Sequence, residues 1–168
     1  NNLPKLTFTR RRDLSGGLQG AGGIGGLLAM TESIALNPEH SYYHADGNGN
    51  VTCLINTNQL SVARYNFDPF GNPLSVSGSK AFVNPIWFSS QIYDWDTGFL
   101  HYKYRIYVPE LQRWPSRDPL GEPGFESSRG GYEDITGAGH NLYMFVRNDP
   151  EDRIDTLGLK FVPPLAYG

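Results

Sequence analysis

Two aspartates near the C-terminal end of the sequence have side chains and spacing that could support acid–base chemistry. Asp118 and Asp155 each begin an Asp-x-Leu-Gly step. Two carboxylates held close together cannot both ionise cheaply, so one keeps a proton and acts as an acid while the other activates water. Both steps are also acceptable turns, in which Asp only accepts hydrogen bonds from backbone NH groups. The residue types alone therefore allow an acid–base pair or two structural turns.

The two steps belong to a longer patterned run between Tyr93 and Leu159. The run consists of Tyr93-Asp94-Trp95-Asp96-Thr97-Gly98-Phe99-Leu100, Arg105-Ile106-Tyr107-Val108-Pro109-Glu110-Leu111-Gln112-Arg113-Trp114, Ser116-Arg117-Asp118-Pro119-Leu120-Gly121, Asn141-Leu142-Tyr143 and Asp155-Thr156-Leu157-Gly158-Leu159. In its order and length, this run resembles the RHS-repeat-associated core domain, the C-terminal end of RHS/YD-repeat proteins.

The resemblance implies a chemistry for particular residues. In the RHS family the core domain is an autoprotease that cuts its own chain just after the final step of the run. The resemblance implies that Asp118 and Asp155 are the catalytic aspartates, that Arg105 is an arginine tied to cleavage, and that the bond from Leu159 to Lys160 is cut. An arginine there would hold a carboxylate or offset charge developing on the carbonyl oxygen. Because the bond lies close to Asp155 in the chain, the effective concentration of the catalytic group would be high.

The resemblance also implies a biological setting. The chain would close a β-structured shell. Its partners would be the remaining repeats of the shell and its own C-terminal cargo segment. The whole protein would be secreted or lie on the cell surface. Only residues 160–168 follow the expected cut, which is too little for a folded toxin. We therefore expect a fragment, or a chain that has lost its variable region. The alternative from a different class is a non-catalytic structural or cell-surface interaction module, whose aspartates are turn residues.

The sequence departs from the family pattern in three places. Val108 stands where the family usually has Asp, and Thr156 replaces the usual Pro. The stretch from Glu122 to His140 is longer than the common glycine-rich link between the two aspartates. All three departures fall in the part of the chain that would have to assemble the aspartate pair.

Composition favours a turn-rich β protein. The 168 residues include 20 Gly and 12 Pro, aromatic residues make up 13%, and charged residues only 18%. A net charge of −3 gives no general attraction to nucleic acid, and the run Arg10-Arg11-Arg12 is too short to bind a polyanion. No apolar run reaches the roughly 18 residues that a membrane span needs. The single cysteine, Cys53, excludes an internal disulfide framework.

An internal repeat supports a fold of antiparallel hairpins. Asp46 leads to Gly49-Asn50, and Asp68 leads to Gly71-Asn72, with an aromatic strand before each Asp. Asp accepts bonds from backbone NH groups, and Gly then Asn tolerate the positive φ of tight hairpins. These units are similar to YD repeats. We therefore predict a mainly β fold, with hairpin repeats forming part of a spiralling sheet and a few short helical turns near the C-terminus.

The remaining elements follow from local patterns. Strands are predicted at 6–12, 27–34, 86–93, 99–107 and 142–146, a bend at 108–111, and one helical turn opening at 148–151. The predicted segments are a strand and Gly-rich connection (1–36), YD-type repeats (37–80), an RHS core domain (81–159) with an insert at about 122–140, and a tail (160–168).

Several weaker motifs favour structural explanations. Gly20 to Gly25 matches a nucleotide-binding glycine pattern, but no buried strand immediately precedes it, so we predict a flexible or tight apolar loop within 13–26. Asp46 to Asn50 resembles half of a calcium loop, but Val51 replaces the required glycine. Aromatic residues are abundant enough for a sugar-binding platform, although core and cross-strand pairs explain them better. No cofactor and no metal site is predicted.

Overall fold

A six-stranded antiparallel sheet forms the first part of the molecule. The computed structural model describes residues 4–18, 20–34, 37–119, 141–159 and 161–162. Each strand of this sheet pairs with the next one in the sequence. The strands are β1 (Leu6–Arg10), β2 (Leu27–Ile34), β3 (Asn37–Ala45), β4 (Val51–Asn56), β5 (Ser61–Phe67) and β6 (Pro73–Ser77). This arrangement confirms the prediction of antiparallel hairpins, although the first strand ends two residues earlier than expected.

The two predicted hairpin corners have the same internal hydrogen bonds. The Oδ1 atom of Asp46 accepts from the backbone NH groups of Asn48 and Asn50 at 3.0 and 2.9 Å, and the Asn50 amide donates to Oδ2. Asp68 accepts equivalent bonds from Phe70 and Asn72, both at 2.9 Å. The Asp carboxylate thus folds the chain around itself, as the sequence pattern predicts.

A third corner of the same kind was not predicted. Asn56 stands where the other two corners have Asp, and its Oδ1 accepts from the NH groups of Asn58 and Leu60 at 3.0 and 2.9 Å. Gln59 has a φ of 64° in place of the usual glycine. An Asn side chain therefore suffices to build this turn, since only one acceptor oxygen is needed for both backbone bonds.

The C-terminal half adds two small sheets. One contains β7 (Ile92–Asp94), β8 (Phe99–His101) and β9 (Ile106–Tyr107), and the other pairs β10 (Ile154–Asp155) with β11 (Phe161–Val162). Short 3-10 helical turns cover Phe88–Ser90, Pro109–Leu111 and Val146–Asn148. Among the described residues, no helix has the length and apolar character needed to cross a membrane.

The predicted strand at 86–93 is wrong at its centre. Ser89 and Ser90 have φ values of 50° and 54°, which breaks the extended chain. The Ser89 NH donates to the Asn50 side chain at 2.8 Å, and the Ser90 hydroxyl donates to the Gly49 carbonyl at 2.8 Å. Bonds to a distant hairpin corner therefore override the local strand pattern.

The other strand predictions in this half also need correction. The predicted strand at 99–107 is split into β8 and β9, because the Tyr104 NH bonds to the carbonyl of Leu157 at 3.1 Å instead of to a neighbouring strand. The predicted strand at 142–146 is a turn with one bridge, between Met144 and Arg113. The helical turn expected to open at Asn148 instead ends there. Predictions for 122–140 lie outside the described residues.

Two aromatic clusters form the core and meet at shared side chains. The first lies under the large sheet and includes Tyr65 and Trp87, both almost completely buried. The second includes Tyr107, Trp114 and Phe145 and lies beneath the C-terminal turns. Phe67 and Tyr93 pack against both clusters. Most of the large aromatic residues are thus structural, in agreement with the core interpretation of their abundance.

Asn84 is a buried polar link within the first cluster, and its loss should destabilise the protein. Its side chain is 0% exposed, accepts a 2.6 Å bond from the Tyr43 hydroxyl, and donates to the Ile86 carbonyl at 2.8 Å. We expect Asn84→Ala to lower the free energy of unfolding by about 3 kcal/mol, since buried partners lose their bonds. The measurement is urea unfolding followed by tryptophan fluorescence. Asn66→Ala is the matched control, because Asn66 is exposed and should change stability by less than about 0.5 kcal/mol.

Candidate functional site

The three residues predicted from the sequence to share a site are in contact. Arg105 follows β8 and immediately precedes β9 in the chain. Its Nη2 atom is 3.0 Å from Asp118 Oδ2 and 3.3 Å from Asp155 Oδ2. One nitrogen atom therefore contacts both carboxylates. The long stretch between the two aspartates in sequence does not keep them apart.

The remaining donors of Arg105 fix its position. Nε donates to the Gly158 carbonyl, and Nη1 donates to the Leu142 carbonyl at 3.3 Å. The guanidinium carbon also lies 4.1 Å from the centre of the Trp114 ring. An arginine side chain held on every edge and on one face has little freedom, so it presents a fixed positive charge to the two carboxylates.

Asp155 organises the segment that leads to the predicted cut. It ends β10, and its Oδ1 atom accepts bonds from the NH groups of Leu157, Gly158 and Leu159 at 3.2, 2.7 and 3.0 Å. The other oxygen, Oδ2, faces Arg105. Asp155 thus serves as a turn residue through one oxygen and belongs to the charged cluster through the other. Leu159 is held by this turn, whereas Lys160 lies outside the described residues.

Gly158 allows this segment to lie against the strand region that carries Arg105. Gly158 has a φ of 77°, and a Cβ atom there would lie 3.0 Å from the Cβ of Tyr102 and 3.2 Å from the backbone nitrogen of Arg105. A side chain at this position would therefore push the turn away from Arg105. The glycine of the second Asp-x-Leu-Gly step is thus required by both conformation and space.

Asp118 is held in place from the backbone and is the more accessible carboxylate. Its NH donates to the Leu142 carbonyl at 3.0 Å, the same carbonyl that accepts from Arg105. Its side chain is 20% exposed, compared with 3% for Asp155. A surface cleft lined in part by Tyr104, Arg105 and Ser116 opens beside the cluster. Solvent can therefore reach the Asp118 side more readily than the Asp155 side.

Burial has the largest effect on the pKa values of Asp155 and Arg105. Burial raises the pKa of Asp155 above its ordinary value, and this outweighs the lowering effects of Arg105 and the three NH groups. Burial likewise lowers the pKa of Arg105, although both carboxylates act against it. Asp155 therefore keeps its proton to a higher pH than an exposed aspartate, as the acid member of a carboxylate pair should.

Sequence reasoning did not identify two of the groups that build the site. Leu142 contributes only its backbone carbonyl, which no residue-type pattern can reveal. Trp114 lies in the patterned run and contacts Arg105 through its ring face, but aromatic residues are common in that run. Among the residues that the structure describes, no group of three or more His, Cys, Asp or Glu is arranged to hold a metal ion.

The fold and site define a mainly antiparallel β segment with an arginine-bridged carboxylate pair near its C-terminal end.

The chain is similar in sequence to several known proteins, although it matches no family model. It is 28% identical over 138 residues to the tRNA3(Ser)-specific nuclease WapA of Bacillus spizizenii, covering 82% of this chain and 5% of that protein. It is 26% identical over 136 residues to the toxin protein Tse5 of Pseudomonas aeruginosa, covering 69% of this chain and 9% of that protein.

A solved structure shares the fold. The crystal structure of TcdB2-TccC3 matches with a TM-score of 0.63 at 23% identity, covering 78% of this chain and 6% of that chain. The chain spans only 5% to 9% of the length of these three proteins. The predicted fold class is confirmed, and the chain is similar to parts of RHS-repeat proteins, one of which is named a toxin.

Proposed function

We propose that this chain is the RHS core segment that closes a YD-repeat shell, and that it cuts its own backbone between Leu159 and Lys160. One observation carries the proposal: Asp118 and Asp155 contact the same arginine nitrogen, while Asp155 also holds the backbone up to Leu159. A carboxylate pair beside a fixed backbone segment of the same chain is the arrangement that self-hydrolysis requires.

The different exposure of the two carboxylates supports a different role for each in this proposal. Asp118, the more exposed carboxylate, acts as the base. It takes a proton from a water molecule while the oxygen of that water adds to the Leu159 carbonyl carbon. Asp155, the buried acid with the raised pKa, gives its proton to the Lys160 nitrogen as the bond breaks. The products are a Leu159 carboxylate and a Lys160 amine. Arg105 offsets the negative charge that develops during the reaction.

The relatives support a role in toxin delivery. One of them is named a toxin and another a tRNA-specific nuclease, and this chain matches only a small part of each. In the proposed function, the remaining repeats of the shell and a C-terminal cargo segment are the partners of this chain. The protein would be secreted or displayed on a cell surface, and hydrolysis would be confined to its own backbone.

The proposal is tested by following the mass of the purified protein over time. Wild-type protein should convert to a species that lacks residues 160–168, whereas Asp118→Asn should stay at full length because its amide cannot accept the proton of water. Equal conversion of both proteins would mean that Asp118 has no part in the reaction.

The rate of cleavage should fall as the pH rises through the raised pKa of Asp155. Burial favours the protonated carboxyl group, and only the protonated group can donate to the leaving nitrogen. The rate should therefore be high in mildly acidic solution and decline toward alkaline pH, once Asp155 has lost its proton. The measurement is the first-order rate of cleavage at a series of pH values. A rate that only increases with pH through this range would contradict the assignment of Asp155 as the acid.

A non-catalytic module is the second candidate, and one observation favours it. Three backbone bonds to a single oxygen of Asp155 are typical of a purely structural turn, as are the bonds made by Asp46 and Asp68. On this reading, wild-type protein stays intact under all conditions, and Asp155→Asn changes only stability.

A further inference from the structure

The Gly-rich loop at 13–26 is folded around one buried carboxylate. Asp13 is 6% exposed, and its Oδ2 atom accepts from the NH groups of Ala21 and Gly23 at 2.8 and 3.0 Å. Its Oδ1 atom accepts from the NH and hydroxyl groups of Ser15 at 3.0 and 2.5 Å. The described residues of this loop, 13–18 and 20–26, therefore form a tight loop, one of the two structures predicted from the sequence.

The loop is also attached to the large sheet. The Gly25 NH donates to the Ser90 hydroxyl at 3.3 Å, and that hydroxyl donates to the Gly49 carbonyl at 2.8 Å. Ile24 is completely buried and lies directly against Gly49. The position of the loop is thus set by the hairpin corner at Asp46 as well as by its own carboxylate.

The far side of this loop lies against the residue that follows Asp155. A Cβ atom on Gly22 would overlap the carbonyl oxygen of Thr156 and would lie 3.4 Å from the Leu157 side chain. Thr156 itself is 6% exposed. The backbones at Gly22 and Thr156 are therefore in direct contact, which no side chain at position 22 would permit.

We propose that the Gly-rich loop at 13–26 is a positioning clamp, in which Gly22 seats the backbone at Thr156 so that the turn from Asp155 to Leu159 stays aligned for cleavage. This inference rests on the proposed self-cleavage. Gly22 contacts Thr156 and Leu157 and no reacting atom, so it acts by supporting the turn that Asp155 organises. A small shift of a reacting bond can slow a reaction by about 100-fold, so the clamp affects rate strongly.

The chain supplies a matched pair of substitutions. Gly22 and Gly16 belong to the same loop and have positive φ values of 64° and 75°, so alanine strains the backbone at both. A Cβ atom on Gly16 would have nothing within 4 Å, whereas one on Gly22 would meet Thr156. We expect Gly22→Ala to slow cleavage at least about tenfold and Gly16→Ala to change it less than about twofold. The dependence of the rate on pH should keep its shape in both variants, because neither changes an acid or a base.

A second measurement does not depend on cleavage. In an Asp118→Asn background, hydrogen exchange at the Gly158 and Leu159 amides should be faster with Gly22→Ala than with Gly16→Ala, while amides of β3 to β5 keep their protection. Equal exchange in both variants overturns the clamp, even if wild-type protein cleaves itself. Absence of cleavage in wild-type protein defeats the proposed function. In that case, hydrogen exchange at the Gly158 and Leu159 amides still tests whether Gly22 positions the turn.

Loss of protection throughout the sheet in Gly22→Ala would mean that the variant does not fold. Asp13→Asn then takes its place, because it weakens the bonds to Ala21 and Gly23 without adding an atom near Thr156. The clamp predicts faster exchange at Gly158 and Leu159 in Asp13→Asn. Unchanged exchange at both amides overturns it.

Discussion

Asp155→Asn is expected to reduce the rate of self-cleavage by at least about 100-fold, because the acid that protonates the leaving nitrogen is lost. The amide oxygen of Asn can still accept the backbone bonds that Asp155 receives from Leu157, Gly158 and Leu159. The corner built by Asn56 shows that Asn can form such a turn in this protein. The variant should therefore fold and fail in chemistry. The measurement is the first-order rate of cleavage, followed by intact mass.

Asp68→Asn is the matched control for this substitution. Asp68 accepts the same type of backbone bonds in a hairpin corner, and the equivalent corner at Asn56 already uses an amide. Cleavage in Asp68→Asn should proceed at the wild-type rate. If Asp155→Asn also cleaves at that rate, the carboxylate at 155 is a turn residue and the acid role is wrong.

Removal of the arginine charge should have the largest effect on stability. The Arg105 side chain is 4% exposed and bridges two carboxylates, one of which is 3% exposed. Breaking a buried ion pair by deleting one partner costs about 3 to 5 kcal/mol, because the other charge stays buried without compensation. At a pH at which Asp155 is ionised, we expect Arg105→Met to lose stability in this range. The variant should also lose cleavage. Lysine should not restore cleavage, since one ammonium group cannot bond at once to Gly158, Leu142 and the carboxylates.

A double variant tests the cause of this loss. In Arg105→Met/Asp155→Asn the uncompensated carboxylate is replaced by a neutral amide, so the double variant should be more stable than Arg105→Met alone. All of these proteins are expected to stay uncut, so urea unfolding can be compared directly, with Asp155→Asn as the reference. A double variant that is less stable than Arg105→Met would show that packing and not charge explains the loss.

The sequence predicts those parts of the fold in which local chemistry and tertiary structure agree. The strand at 27–34 and the corners at Asp46 and Asp68 have the predicted form, because strand-like composition and Asp-to-Gly turn chemistry act within a few residues. The strands expected around Ser89 and Tyr104 do not form as predicted, because their backbone groups bond to distant residues. Such bonds leave no trace in the local pattern.

The candidate site shows the same division. The resemblance of the run from Tyr93 to Leu159 to the RHS core domain selects Arg105, Asp118 and Asp155. In the structure, the Nη2 atom of Arg105 contacts both aspartates. The carbonyl of Leu142 and the contact of Gly22 with Thr156 come from backbone positions remote in sequence, so residue types cannot reveal them. Gly22 belongs to a loop with many glycines, so the sequence does not show that position 22 in particular has no room for a side chain.

Self-cleavage between Leu159 and Lys160 is tested by mapping the new chain ends of the purified wild-type protein. We expect one cut, which leaves Leu159 as the new C-terminus and Lys160 as the new N-terminus. This cut should be absent in Asp155→Asn. The protein is incubated at a series of pH values from acidic to alkaline, because the pKa of Asp155 is raised by burial. Only full-length protein at every pH, or a cut at another bond, would contradict this expectation.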